Sequence, residues 1–271
     1  YAYLPKLTGD HSFMAIFEAI RAGTVKGLFC FGMNPAVGGP NSTRAREALG
    51  KLDWLVAVDI FETDASVFWR RPGADPGKIN TEVFLLPAAA SVEKEGSVAN
   101  SGRWCQWRYK AVNPPGQAKS DAWIVTQLVA GLKKAYASGG VFPLPIRHLT
   151  WDYGQDKDPH GEPDIHRVAR EINGYFTQDK EIDGKKWKAG DQVPGFALLQ
   201  ADGSTASGCW IYCGSYPGPN KSDNRMARRE KSDPVKDPLG LHPNWSWCWP
   251  VNRRILYNRA SADLRGRPWN R

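Results

Sequence analysis

Three places in this sequence carry residue types that could hold an anionic or nucleotide ligand. The first is the run Gly32-Met33-Asn34-Pro35-Ala36-Val37-Gly38-Gly39-Pro40-Asn41-Ser42, between a short apolar segment and a helix start. Glycines let a ligand approach the backbone, and N–H groups at a helix N-terminus attract negative charge. The spacing is neither GxGxxG nor a Walker loop, so an ordinary nicotinamide or ATP site is not indicated. A plain tight turn is the competing reading. The second place is Asp59, at the end of the next apolar segment. A carboxylate there could accept hydrogen bonds from a ribose, or from the adjacent N–H donors of a guanine ring. Equally, it could cap a helix beginning near Glu62-Thr63. The third is Lys94, inside the polar run from Ser91 to Arg103. A lysine there could meet a phosphate, or the run could be an ordinary surface loop.

Other chemistry finds little support. The five cysteines, Cys30, Cys105, Cys209, Cys213 and Cys248, form no CxxC pair, so an iron–sulfur or zinc site built from this chain is not expected. His148, His160, His166 and His242 show no ligand spacing, and there is no nucleophile elbow. No catalytic residue and no metal ligand is assigned from the residues.

The elements that must position these groups read as alternating helix and strand. Phe13, Ile16, Phe17 and Ile20 repeat as the apolar stripe of a helix capped by Asp10 or Ser12 and closed by Gly23. Residues 27–31 have the length of a buried strand. A second helix follows from Asn41 or Ser42, with Ala45, Ala48, Leu49 and Leu52 on one side. Residues 54–58 form the next strand, ending at Asp59, and 83–86 a third, halted by Pro87. Asp121 opens another helix, with Ile124, Leu128, Leu132 and Ala135 as its stripe. The expectation is an α/β domain with a mostly parallel sheet and helices on both faces. The loops after Phe31 and Val58 then lie at the same, carboxyl edge. Beyond about Gly140 prolines break the pattern, which predicts an irregular Trp- and Pro-rich extension. A helix over 165–173, short strands at 197–199 and 210–212, and a strand face of Trp245, Trp247 and Trp249 are expected there. The domain division expected is 1–140 and 141–271.

The 271 residues are 41% hydrophobic, enough for a packed core, and no apolar run approaches the length of a membrane helix. Of the net +8, +7 falls in residues 221–271. Such a tail suits phosphates, nucleic acid or an acidic protein surface, and equally a solvated face. A nucleic-acid-binding module using this tail is a remote alternative. The chain begins with Tyr1 and lacks a terminal element after Arg271, which leads to the expectation of a fragment or a processed chain.

Taken together, these segments resemble the molybdopterin oxidoreductase (DMSO reductase) family. The residues 32–42 look like its Gly-x-Asn-Pro loop. Residues 52–63 are similar to the strand and turn that follow that loop, 85–97 to its Leu-Pro-Ala…Glu-Lys-x-Gly segment, and 118–123 to the start of the next helix. Residues 104–112, Met226-Ala227-Arg228-Arg229 and the long run Trp247–Asp263 narrow the likeness to large (alpha) subunits of respiratory, membrane-associated formate dehydrogenases. The resemblance implies a bis(molybdopterin guanine dinucleotide) cofactor with molybdenum or tungsten. A [4Fe-4S] cluster, the metal's protein ligand and an assisting histidine would lie outside this internal fragment, leaving the chain alone inactive. It implies cofactor contacts at Gly32, Asn34, Val58, Asp59, Thr63, Lys94 and Asp121. Those at Lys94 and Asp121 are known best in the nitrate reductase branch, which commonly has serine where this chain has Val58. It further implies three partners: the remainder of the large subunit, an iron–sulfur electron-transfer subunit docking on the basic end near Arg228 and Arg229, and indirectly a membrane cytochrome subunit. The location implied is periplasmic and membrane-associated. The alternative within the family is a segment of a nitrate reductase or another oxo-transferase.

Overall fold

A computed structural model describes residue 3 and residues 8–99, 104–216 and 246–247, of which 104–106 and 246–247 are described in backbone alone. The chain divides into two compact units. The first takes in residues 1–94, 111–152 and 159–162, and the second 95–110, 153–158 and 163–271.

The first unit opens with α1 (Phe13–Arg21), where the Ser12 hydroxyl oxygen accepts from the Ala15 N–H at 3.3 Å. Phe17 and Ile20 are buried, while Ile16, read as part of the same stripe, turns outward. Strand β1 (Gly27–Phe31) is followed by a single helical turn, α2 (Pro35–Gly38), and by α3 (Ser42–Leu49), capped by the Asn41 side chain. Ala45, Ala48 and Leu49 face inward as their spacing predicts. Strand β2 (Trp54–Asp59) pairs in parallel with β1, and β3 (Glu82–Pro87) in parallel with β2. Pro87 is the last residue of β3, opposite Asp59, so the strand runs one residue past its expected stop. Helix α4 (Asp121–Ala135) is capped by Ser120, and α5 (Pro143–His148) comes after it.

The period-two alternation of β2 builds two cores. Leu55, with Leu28, Cys30 and Val83, packs against Phe17 and Ile20 of α1, Ala45, Ala48 and Leu49 of α3, and Phe68. Val56 and Val58 point to the opposite face and meet Ile124, Trp123 and Leu128 of α4. Each fully buried Leu, Ile or Phe contributes about 1.5–3 kcal/mol relative to exposure. Helices thus cover both faces of a parallel sheet, as the alternation of the sequence predicts. The Thr81 hydroxyl meets the carbonyls of Leu49 (2.9 Å) and Leu52 (2.8 Å), giving partners to the end of α3.

The second unit contains the hairpin β4 (Gly96–Ala99) and β5 (Trp104–Arg108), with residues 246–247 pairing antiparallel to β5. The run 91–103, read as a surface loop, therefore carries a strand. Helix α6 (Ile165–Asn173) forms as expected, with the Asp164 carboxylate accepting from the His166 N–H at 2.9 Å. It stops at Gly174, whose φ of +102° and approach to the Ala206 carbonyl leave no room for a Cβ. Residues 197–199 and 210–212 were expected as strands. Instead, Phe196–Leu198 and Trp210–Tyr212 form single 3₁₀ turns. Trp245 and Trp249 lie outside the described residues, as do Arg228, Arg229 and almost all of the basic tail.

Two clusters hold this unit. Phe176, Val193 and Cys213 are buried with Trp187 stacked on Phe176. Beside them Asn173, 1% exposed, uses its whole hydrogen-bonding capacity. It donates to the carbonyls of Gly174 (3.2 Å) and Val193 (3.1 Å) and accepts from the N–H groups of Gly214 (2.8 Å) and Tyr216 (3.0 Å). In the other cluster, Trp107 stacks on His166 and lies against Tyr216, and its indole N–H donates to Glu95 at 2.9 Å.

Candidate cofactor-contacting edge

The carboxyl end of the β1–β2–β3 sheet brings the loops together side by side. The Gly32 N–H donates to the Val58 carbonyl at 2.8 Å, joining the loop after β1 to the end of β2. The Ala88 N–H donates to the Asp59 carbonyl at 2.9 Å, joining β2 to the segment after β3. Lys119 N–H donates to Pro87 (3.1 Å) and the Lys119 carbonyl accepts from Ala89 (2.7 Å), which draws in the start of α4. One backbone row thus runs from Gly32 through Asp59 to Lys119, two residues before Asp121, and the Gly32 and Asp59 loops share an edge as the sequence predicts.

Gly32 has φ of +56° with nothing within 4 Å of a would-be Cβ, so it is required for its backbone angle and leaves open space above it. Asn34 reaches across to the β2 loop. Its amide donates to Asp64 Oδ2 at 3.1 Å and its carbonyl oxygen accepts from the Ala65 N–H at 3.1 Å. That clamp holds the loop after β1 against the loop after β2. Val58 is fully buried under α4, so its side chain is part of the wall, and its carbonyl is engaged by Gly32.

Asp59 is half-buried. One carboxylate oxygen accepts from the Ile60 N–H at 2.8 Å, and among the described residues no cation pairs with the group. No helix begins at Glu62-Thr63, so the capping alternative for Asp59 does not hold. The turn there closes on itself instead: the Thr63 N–H donates to Ser66 Oγ at 2.9 Å, and Ser66 Oγ donates back to the Thr63 carbonyl at 2.9 Å. Asp59 also bears on Cys30. Burial first, and the Asp59 charge second, push that thiol's pKa up to about 11.

Lys94 and Asp121, 27 positions apart, form an ion pair at the first turn of α4. Asp121 suits the positive end of the helix, and Lys94 keeps a partly exposed ammonium there. Adjoining this place is a groove of about 580 Å³, lined by Leu86, Pro87, Gln117, Lys119, Trp123 and Gln127 among others. The Lys119 ammonium lies 5.3 Å from the centre of the Trp123 ring. Sequence reasoning took only Asp121 from this stretch. The signal available was the tripeptide Lys119-Ser120-Asp121 just before an apolar stripe, which marks a helix start and the groups beside it.

Chemically, the edge offers approachable backbone at Gly32, a carboxylate at Asp59 that no cation among the described residues pairs with, and a lysine ammonium at Lys94. Those are the functions that a nucleotide's phosphates and base edge require. Among the described residues no three His, Cys, Asp or Glu side chains gather as a metal site, and no helix is long and apolar enough to cross a membrane.

Residues 6–130 match the molybdopterin oxidoreductase family. The chain is 48% identical to formate dehydrogenase 2 subunit alpha (cytochrome c-553) of Nitratidesulfovibrio vulgaris over all of its own length and 26% of that protein. It is 46% identical to formate dehydrogenase subunit alpha of Megalodesulfovibrio gigas, covering 99% of this chain and 26% of that protein. The assimilatory nitrate reductase catalytic subunit of Bacillus subtilis is 31% identical over 49% of this chain and 18% of its own length. The chain therefore spans about a quarter of the length of the curated relatives it matches most fully.

Proposed function

The chain belongs to the molybdopterin oxidoreductase family, and on that premise we propose that it is part of the catalytic subunit of a formate dehydrogenase, where residues 1–140 cradle a bis(molybdopterin guanine dinucleotide) cofactor with molybdenum or tungsten. The observation that carries this reading is the row of loops from Gly32 to Lys119, two residues before Asp121, at one sheet edge. The bound group supplies the two-electron redox chemistry of formate oxidation to carbon dioxide; the protein supplies position and electrostatics.

Each residue has a part in that positioning. Gly32 leaves the backbone open to close approach by the ligand. Asp59 accepts paired N–H donors from a guanine base. Thr63 and Asn34 shape and clamp the loop beside it, and Val58 forms the wall behind. Lys94 answers a phosphate charge, with Asp121 orienting its ammonium. Metal ligation, the proton acceptor and the [4Fe-4S] cluster belong to other parts of the longer subunit. Residues 141–271 pack on the rest of that subunit, and their basic end, with Arg228 and Arg229, meets an iron–sulfur subunit. That subunit passes electrons toward a membrane cytochrome subunit or, as one relative's name suggests, cytochrome c-553. A periplasmic, membrane-associated location goes with such partners. A nitrate reductase is the second reading, and it is supported over only half of the chain.

Dye-coupled turnover by the full-length polypeptide decides between the two. Formate-dependent reduction with no nitrate-dependent oxidation is expected, and the 271-residue chain alone should show neither. Nitrate turnover without formate turnover would overturn the proposal.

A further inference from the structure

Lys94 stands at the first turn of α4 because of how the chain is led to it. A lysine carries its ammonium on a flexible four-carbon stem, so the charge is offered at one spot only when the backbone beneath it is held. Here that backbone is held from both sides within the first unit. Upstream, the Ala89 N–H donates to the Lys119 carbonyl at 2.7 Å, next to the bridge between Ala88 and Lys119. Closer to the lysine, the Val92 carbonyl accepts from the N–H groups of Ala111 (2.8 Å) and Val112 (3.3 Å). Between these anchors the chain turns.

Glu93 closes that turn twice. Its N–H donates to the Ala90 carbonyl at 2.9 Å, and its carboxylate reaches back to accept from the Ala90 N–H at 2.7 Å. This is the reciprocal bonding of a capping box, in which a glutamate returns to the N–H three residues earlier. The Ala90–Glu93 bond is partly buried, so a shorter side chain would leave a half-buried donor without its partner. The Glu93 carboxylate forms no ion pair among the described residues. Its contribution is therefore its reach to the turn.

Lys94 follows directly, and its ammonium pairs with Asp121. It is also the last residue of this stretch of the first unit, since Glu95 is counted with the second. From within its own unit, the turn that Glu93 closes is what fixes the start of the lysine side chain.

We propose that Glu93 is a positioning residue: through the closed turn from Ala90 it fixes the backbone from which Lys94 presents its ammonium to a phosphate of the bound dinucleotide. The inference rests on the functional reading of Lys94 given above. It adds that the length of the Glu93 side chain, and not its charge, sets the position.

The test uses the full-length polypeptide with its cofactor, as Glu93→Ala, Glu93→Asp, Glu93→Gln and Lys94→Ala. Acetylation of Lys94 by acetic anhydride, read by peptide mass spectrometry in the cofactor-loaded fraction against exposed Lys133, reports how firmly the ammonium is held. Guanine nucleotide released by acid reports cofactor retention. Glu93→Ala and Glu93→Asp fall short of the Ala90 N–H, so Lys94 should react roughly five- to ten-fold faster and nucleotide content should fall, the size of one lost charge-assisted hydrogen bond. Glu93→Gln keeps the reach and an acceptor oxygen, and should stay within about two-fold of wild type on both readouts. If Glu93→Ala does not fold, the aspartate and glutamine variants decide. Wild-type behaviour of Glu93→Asp beside a defective Glu93→Gln would show that charge is what matters and overturn the proposal. So would wild-type labelling and nucleotide content in Glu93→Ala, even where Lys94→Ala loses nucleotide and the functional reading stands. Wild-type nucleotide content in Lys94→Ala would remove the phosphate role of Lys94, and this inference with it.

Discussion

Exchanging Asn34 for aspartate isolates the contact that clamps the loop after β1 to the loop after β2. The wild-type amide donates to Asp64 at 3.1 Å and accepts from the Ala65 N–H at 3.1 Å. In Asn34→Asp the acceptor survives, the donor is lost, and two carboxylates face each other. Losing a hydrogen bond to a half-exposed carboxylate costs about 1 kcal/mol, below the range for buried charged partners. Like charges at this separation in water add about 1 kcal/mol. The single variant should therefore lose about 2 kcal/mol, which corresponds to roughly 4–8 °C in the unfolding midpoint. Asp64→Asn alone also gives up the 4.0 Å approach of Arg46. In the double variant Asn34→Asp/Asp64→Asn the donor and acceptor are exchanged, and the hydrogen bond can form again. Urea unfolding of all four proteins should give a coupling of about 2 kcal/mol with the sign of rescue. A coupling under about 0.5 kcal/mol would show that the bridge is not made, and the clamp would be wrong.

In the second unit, Asn173→Leu removes four hydrogen bonds, to the Gly174 and Val193 carbonyls and the Gly214 and Tyr216 N–H groups, while the Gly174 carbonyl keeps the Val193 N–H; chemical denaturation should register a loss of about 3–5 kcal/mol, at about 1–3 per group with partial relaxation. A loss below about 1 kcal/mol would mean that water or neighbours replace the amide. Cys30 should resist alkylation by iodoacetamide at pH 8 in the folded protein, since a pKa near 11 leaves about one thiol in a thousand ionised. The thiol stays neutral until pH rises toward that value, so labelling should increase only in strong alkali or on unfolding. Reaction at the rate of an exposed thiol would contradict its burial.

What was legible in the sequence follows from periodicity. Residues 13–21, 42–49 and 121–135 each hold enough residues to distinguish a helical stripe from chance, and strands β1 and β2 are apolar runs bounded by turn residues. Three-residue runs such as Ala197-Leu198-Leu199 cannot reveal a period, and there the chain takes a 3₁₀ turn. The β4 strand was missed because Gly96-Ser97-Val98-Ala99 has little apolar alternation; its pairing with β5 and the approach of Ile165 to Gly96 are supplied by tertiary structure. The site was half legible. Asp59 and Gly32 could be placed at one edge from strand order alone. The Asn34–Asp64 bridge and the Lys94–Asp121 pair join residues 30 and 27 positions apart, and no local pattern encodes such a contact. The residues mark Lys94 as a possible phosphate partner and Asp121 as a helix start; resemblance alone names both as cofactor contacts.

The central claim is that this edge holds the guanine end of a dinucleotide, and Asp59→Ala in the full-length polypeptide tests it most directly. Within the chain the Asp59 side chain makes a hydrogen bond to its own neighbour, Ile60, so the fold should survive its removal. Losing a charge-assisted hydrogen bond to a buried base costs about 1.5–3 kcal/mol, or roughly 10- to 150-fold in affinity. Guanine nucleotide released on acid treatment, together with molybdenum or tungsten by mass spectrometry, should fall well below wild type while the circular dichroism spectrum and unfolding midpoint stay in place. Wild-type nucleotide and metal content in a folded Asp59→Ala protein would contradict the account.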